Sequence, residues 1–439
     1  MNRSLKIYIA TLVLISASAS LACAQAAPAS TMSPTVGPGL PSFDGIFHYA
    51  LRASDMVEFG NAGSGTGNSA VLSGDAAYNS TSVVHPFSMV YAGGLLLGNQ
   101  YGGHVTTFQN LSLYQGLVVD RWNFGIADSV SYLPQTPTLG LSGIPGVGDL
   151  GSQPVQGASG GPAGGALTNN ATNVSNALSG NIERQLSLLT SISGSGSWSI
   201  LRFPKGDGLE NTRYSGDLGL NHRLDPRDTI SGTAIYSTYS FGGGIGLTMQ
   251  TRGSNGAFER VLSRSLKMSA SAGPMWVSSS NSELLPSRLT YDANLNLGYS
   301  KGLTNMGVSY AHGVNGGSGV QPGSLSDDVS ASIGRTYAVD WLVSLSGNYT
   351  HSSGLVENGA LVGSSASPFL YSGGTTNLVY GGAQVSHKLT DSLSAFATYN
   401  LQHQSIDSSL ARQNAFSGLT QTFGVGISFS PRSTSLGQF

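Results

Sequence analysis

The chain has 439 residues, of which only 10% are charged, against roughly 25% in an average soluble domain, and its mean hydropathy is near zero. Twenty basic and 22 acidic residues give a net charge of −2 with no basic patch to hold nucleic acid, and a single cysteine excludes a disulfide framework. A surface this poor in charge does not suit an ordinary soluble protein. No apolar run beyond the first residues approaches the roughly 20 that a membrane helix needs.

In chain order, Arg3 and Lys6 precede an apolar run from Ile7 to Ile15 and a small-residue stretch ending Ala22-Cys23-Ala24, the pattern of a secretory signal. Cleavage before Gln25 makes residues 1–24 a signal peptide and removes Cys23 with it. A lipoprotein would keep Cys23, but Ser20 stands where such signals usually carry leucine. Loss of Arg3 and Lys6 leaves 18 basic residues against 22 acidic, a net charge of −4. Residues 25–42, with Pro28, Pro34, Pro38 and Pro41, read as a flexible periplasmic lead.

From residue 43 to 430 the dominant signal is a period of two. In 289–300 one face reads Leu, Tyr, Ala, Leu, Leu, Tyr and the other Thr, Asp, Asn, Asn, Gly, Ser. Trp341 to Thr350 and Thr422 to Ser430 split the same way. A soluble sheet also alternates. These segments run about 9 to 13 residues, however, the length a tilted strand needs to cross a bilayer, whereas soluble strands have a mode of about 5–6. Apolar side chains then face lipid and small polar ones a lumen, which resolves the charge paradox.

Short turn signals punctuate the alternation at about Val83 and Asp120, then at Leu186-Ser187, Leu224 to Asp228, Leu262 to Ser265, Lys301-Gly302, Tyr337-Ala338 and Thr390-Asp391. From 186 to 338 they recur every 36 to 40 residues, one hairpin with its distal loop per interval. Eight such turns predict an all-β fold, a transmembrane antiparallel barrel of about eighteen strands. The opposite connections, such as Phe203 to Asn211, Gly313 to Asp327 and Gly354 to Thr376, are longer and rich in Gly, Ser and Asn. That asymmetry assigns the short turns to the periplasm and the long loops to the outside. Two features sit awkwardly: Pro274 lies inside a strand, and Asp128 shares a face with Trp122, Phe124, Ile126 and Val130, which points to a bulge or a misplaced boundary.

On this architecture the chain resembles the Gram-negative outer-membrane β-barrels, particularly the porin-like ones, over nearly all of its mature length. Members often end in an aromatic residue that closes the last strand. Here Phe439 is terminal, but Pro431 interrupts the alternation after Phe429, leaving 431–439 as a periplasmic tail. The resemblance implies outer-membrane lipid and lipopolysaccharide, the barrel-assembly machinery and small hydrophilic solutes as partners. Homotrimers are common in such porins, so a homo-oligomer stays open. Residues 134–173 break the hairpin rhythm after the fifth strand with ten glycines, five prolines and one charge, Asp149. In general porins a long loop at that position narrows the pore, so Gly146, Gly148 and Asp149 are candidate constriction residues. A disordered surface loop fits the composition equally well.

Chemical motifs dissolve on inspection. Gly146 to Gly151 fits G-x-G-x-x-G, and Gly157 to Gly161 fits G-x-S-x-G, without the strand and helix either needs; both are chance in a chain with 61 glycines. The eight histidines are scattered and show no metal-ligand spacing. The expectation is therefore no enzyme, no cofactor and no metal, but a porin-like channel for passive diffusion of small hydrophilic solutes with weak selectivity. Asp292, Asn294, Asn296, Asn348 and Thr350 are candidate lumen-facing residues, and Asp149 and Asp292 would tilt the selectivity slightly toward cations. The rival readings are a structural, adhesive or polymer-export barrel, and a soluble secreted β-repeat protein.

Overall fold

A computed structural model describes residues 45–60, 67–80, 82–98, 105–134, 172–204, 208–242, 246–316, 321–338, 340–356, 361–362, 369–370, 374–407, 417–431 and 434–436. The signal, the lead segment and Gly146, Gly148 and Asp149 lie outside these residues.

The alternating segments form strands of 12 to 16 residues. They are β1 (Gly45–Gly60), β2 (Gly67–Ser80), β3 (Phe87–Gly98), β4 (Val105–Val119), β5 (Trp122–Pro134), β6 (Thr172–Gln185), β7 (Thr190–Arg202) and β8 (Asn211–Arg223). The series continues with β9 (Asp228–Phe241), β10 (Thr248–Ser263), β11 (Leu266–Ser279), β12 (Arg288–Lys301), β13 (Thr304–Asn315), β14 (Ser324–Tyr337) and β15 (Trp341–Gly354). Two-residue strands β16 (Leu361–Val362) and β17 (Phe369–Leu370) pair only with each other in the following loop. Then come β18 (Thr375–Lys388), β19 (Leu393–Ile406), β20 (Gly418–Phe429) and the three-residue β21 (Thr434–Leu436).

Each long strand pairs antiparallel with the next, and β1 closes on β20 from Leu51↔Phe429 to Gly60↔Thr420. Eighteen long strands thus form one closed barrel, as the turn count predicts. Beyond Pro431 the chain resumes pairing: β21 lies along the start of β1, Phe47↔Thr434, one residue out of step with β20.

All eight predicted short turns fall between strands at one end of the barrel. Three are built alike, with a leucine followed by a short oxygen-bearing side chain that accepts the next free backbone N–H groups. Ser187 Oγ takes those of Leu189 and Thr190 at 3.2 and 3.1 Å, Asp225 Oδ1 those of Arg227 and Asp228 at 2.6 and 2.8 Å, and Thr390 Oγ1 those of Ser392 and Leu393 at 3.3 and 3.0 Å. In the β12–β13 turn Gly302 supplies the left-handed backbone at φ 60°, while Ala338 holds φ 47° between β14 and β15.

Both awkward residues are accommodated without the expected bulge. Pro274 stays in β11 opposite Tyr291, and the ladder to β10 skips two pairs, Gly253↔Met275 to Gly256↔Ala272, with the register unchanged. The adjacent Gly273 is needed there, because a Cβ would run into the Ser254 carbonyl oxygen. Asp128 keeps its place on the outer face of β5, in unbroken register with β6, and accepts a 2.7 Å hydrogen bond from Asn176 Nδ2.

Candidate pore and outer wall

The period of two sorts the side chains. Exposed apolar residues such as Leu218 (69%), Val425 (63%), Leu289 (61%) and Ile126 (59%) share one face all the way round the barrel. At the short-turn end this belt closes in a girdle: Trp122 stacks on Phe124 at 5.8 Å with the Arg184 guanidinium 5.0 Å from its ring, and Trp341 stacks on His387 at 4.2 Å. An apolar belt rimmed by aromatics on a sheet with no spanning edge is the solution a bilayer imposes on β structure. The fold is that of an outer-membrane β-barrel.

The inner face is dominated by hydroxyls and amides. Serines pair across neighbouring strands, Ser131 with Ser175 at 2.6 Å and both Ser197 with Ser215 and Ser309 with Ser330 at 2.5 Å, while Ser195 donates to Asp217. All five candidate lumen residues fall on this face. On β12, Asp292 Oδ1 accepts from Asn255 Nδ2 at 2.8 Å and from Asn294 Nδ2 at 3.2 Å. Asn296 lies between Ser269 and Ser309. On β15, Thr350 donates to Asn348 at 3.0 Å and to Asp328 of β14 at 2.5 Å. The register sets Asn294, Ala311, Asp328 and Thr350 side by side, so the two halves of the candidate set become one polar patch. Asn348 and Thr350 are buried, at 9% and 4% exposure, whereas Asp292, Asn294 and Asn296 are half-buried.

Asp328 is missing from the sequence reading, although its place before the outward Val329 gives its direction by parity. Arg213 and Arg288 are missing too; they face inward at the long-loop ends of β8 and β12. Above them lies an apolar cluster that alternation cannot reveal, because half of it comes from loops. Tyr239, Phe241, Met249 and Val277 project inward near the strand ends and are covered by Leu209, Leu247, Leu285, Leu355 and Val356. This cap is pinned to the wall: Arg288 donates to the Leu355 carbonyl at 2.8 Å, and the Arg213 guanidinium lies 5.3 Å from the Tyr239 ring centre. Leu355 and Val356, the first two residues after β15, therefore pack back against the inward side chains of β9–β11 and the start of β12. The one sequence signal is that each of these loops carries large apolar residues, as at Leu247, Leu284-Leu285 and Leu355-Val356, among otherwise small and polar ones.

Neither a protein-family model nor a curated relative matches the chain. Among solved structures, the barrel overlaps Pseudomonas aeruginosa OpdQ at 9% identity and TM-score 0.40, over 90% of this chain and 99% of that one. The P. aeruginosa outer membrane protein OpdK overlaps at 9% identity and TM-score 0.43, over 88% and 99%. OccK2 (OpdF) of the same organism, in complex with glucuronate, overlaps at 11% and 0.40, over 88% and 98%. The barrel assignment rests on the strand pairing and the outer belt, not on these overlaps.

Proposed function

We propose that the barrel is a porin-like channel for passive diffusion of small hydrophilic solutes, weakly selective and leaning toward cations. The observation that carries this reading is the inner face: a closed cylinder of eighteen long strands, wide enough to hold water, lined by serine, threonine and asparagine with Asp292 and Asp328 toward the long-loop end. Hydroxyls and amides exchange hydrogen bonds with a passing solute at little net cost. The two carboxylates bias the local ion population.

Under this reading the partners are outer-membrane lipid and lipopolysaccharide around the belt, the barrel-assembly machinery that closes β1 on β20, and the solutes themselves. No chemistry is assigned to the wall. Purified barrel in a planar bilayer is expected to give discrete conductance steps, with a reversal potential under a KCl gradient of the sign of mild cation preference. Folded, inserted protein that stays silent would overturn the reading in favour of a structural or adhesive barrel.

A further inference from the structure

A second polar feature lies on the outer wall, where lipid is expected. The ladder pairs place His312, Asp327, His351, Asn377 and Ser405 directly side by side across β13, β14, β15, β18 and β19. They share the parity of the exposed Val308, Val329, Tyr349 and Val379, so all five are on the lipid side. Their side chains are linked. The His312 imidazole and the Tyr310 hydroxyl both bond Asp327 Oδ1 at 2.8 Å. His351 Nδ1 and the Tyr349 hydroxyl both meet Asn377 Oδ1, at 2.7 and 3.2 Å, and Asn377 Nδ2 donates to Ser405 at 3.4 Å. His312 itself is buried beneath Tyr291, ring centres 4.0 Å apart, while the Asp327 side chain keeps 38% of its surface exposed.

Height decides what this row meets. His312 is eight residues up β13 from Thr304, and His351 ten up β15 from Trp341. At about 2.5 Å of rise per residue in a tilted strand, the row lies about 20–25 Å above the short turns, at the outer edge of an apolar band about 25 Å tall. At this height the outer wall also carries single polar residues, Asp55 on β1, Gln109 on β4 and Arg252 on β10, between apolar ones such as Leu97 and Ile200. What sets the row apart is that its five side chains stand on five neighbouring strands, each hydrogen-bonded to another of the five.

We infer that this sector is a binding site for the sugar headgroup of an outer-leaflet glycolipid, centred on Asp327, His351 and Asn377 with Tyr291 and Tyr349 as stacking faces. Carboxylate, amide and imidazole in one line match the mixed donors and acceptors of a saccharide, and each keeps capacity to spare: Asp327 has its bonds on Oδ1 and His351 on Nδ1. The two tyrosine rings, 53% and 42% exposed, offer flat surfaces to a sugar's C–H face. The inference rests on the outer-membrane placement of the barrel but not on its conducting.

The test is competition for the purified, detergent-folded barrel between deep-rough lipopolysaccharide and phosphatidylglycerol, read by native mass spectrometry. Wild type is expected to retain the glycolipid preferentially. His351→Ala/Asn377→Ala, losing two bonding side chains, should weaken retention about tenfold, and Tyr349→Phe should leave stacking intact. Ile200→Ala on the opposite wall should change nothing, and strand circular dichroism confirms that each variant folds. Equal retention of both lipids, or a preference that survives the double variant, overturns the proposal. So does self-association abolished by the double variant, which would make the row a contact between copies. Conductance of the same preparations, measured separately, tells failure of this site from failure of the channel reading.

Discussion

Oδ1 of Asp292 is engaged by two asparagine amides, whereas Asp328 is held on both oxygens, Oδ1 by Thr350 and Oδ2 by Ser326. Replacing either by asparagine preserves shape and most of that bonding while removing a charge. Asp292→Asn/Asp328→Asn is expected to move the reversal potential about halfway or more toward zero at 0.1 M salt, where charges act over about 10 Å, and far less at 1 M, where they act over about 3 Å. An unchanged reversal potential would mean that other groups set the selectivity. At the turn between β8 and β9, the backbone N–H groups of Arg227 and Asp228 hold the Asp225 carboxyl below the ordinary aspartate range. Because the folded value is lowered, the stabilisation is complete above the unfolded value, near 3.9, and lost as pH falls through the lowered one. Melting curves of wild type and Asp225→Ala should therefore differ at neutral pH and converge in acid.

Turns and caps show where elements can be altered. Gly302 and Ala338 occupy nearly the same left-handed conformation, which costs a residue with a Cβ about 1–2 kcal/mol. Gly302→Ala should lower stability by about 1 kcal/mol, and Ala338→Gly should raise it by somewhat less, since glycine also loosens the unfolded chain; denaturation in detergent reads both. In the mouth cap, Leu285 is wholly buried against Leu355 and Met249. Leu285→Ala removes packing of the kind that costs about 2–5 kcal/mol in cores, here paid locally by the loops, so single-channel conductance should rise while the barrel's melting changes little. These elements also mark what was legible in the chain. Strands, turns and inward parity follow from local alternation and turn chemistry, so Asp292 and Asn294 could be read one residue at a time. The cap could not, because Leu209, Leu285 and Leu355 come together only through loops whose path depends on the closed cylinder. Nor could the line from His312 to Ser405, since it exists only once five strands have taken their register.

For the whole molecule, closure is the decisive event. Every spanning strand needs two neighbours to satisfy its backbone in lipid, and the seam joins residues almost 400 positions apart in sequence, Leu51 to Phe429. The short piece β21 extends that seam below Pro431, covering the first residues of β1. Removing residues 431–439 should leave the pore intact but slow refolding into liposomes and lower the melting temperature. Identical refolding would make the tail dispensable. For a polypeptide emerging from one end, this arrangement acts as a proof of completeness. The opening strand cannot be fully sealed until the closing residues arrive, so a prematurely terminated copy would carry a raw, sticky margin that quality-control proteases could recognise.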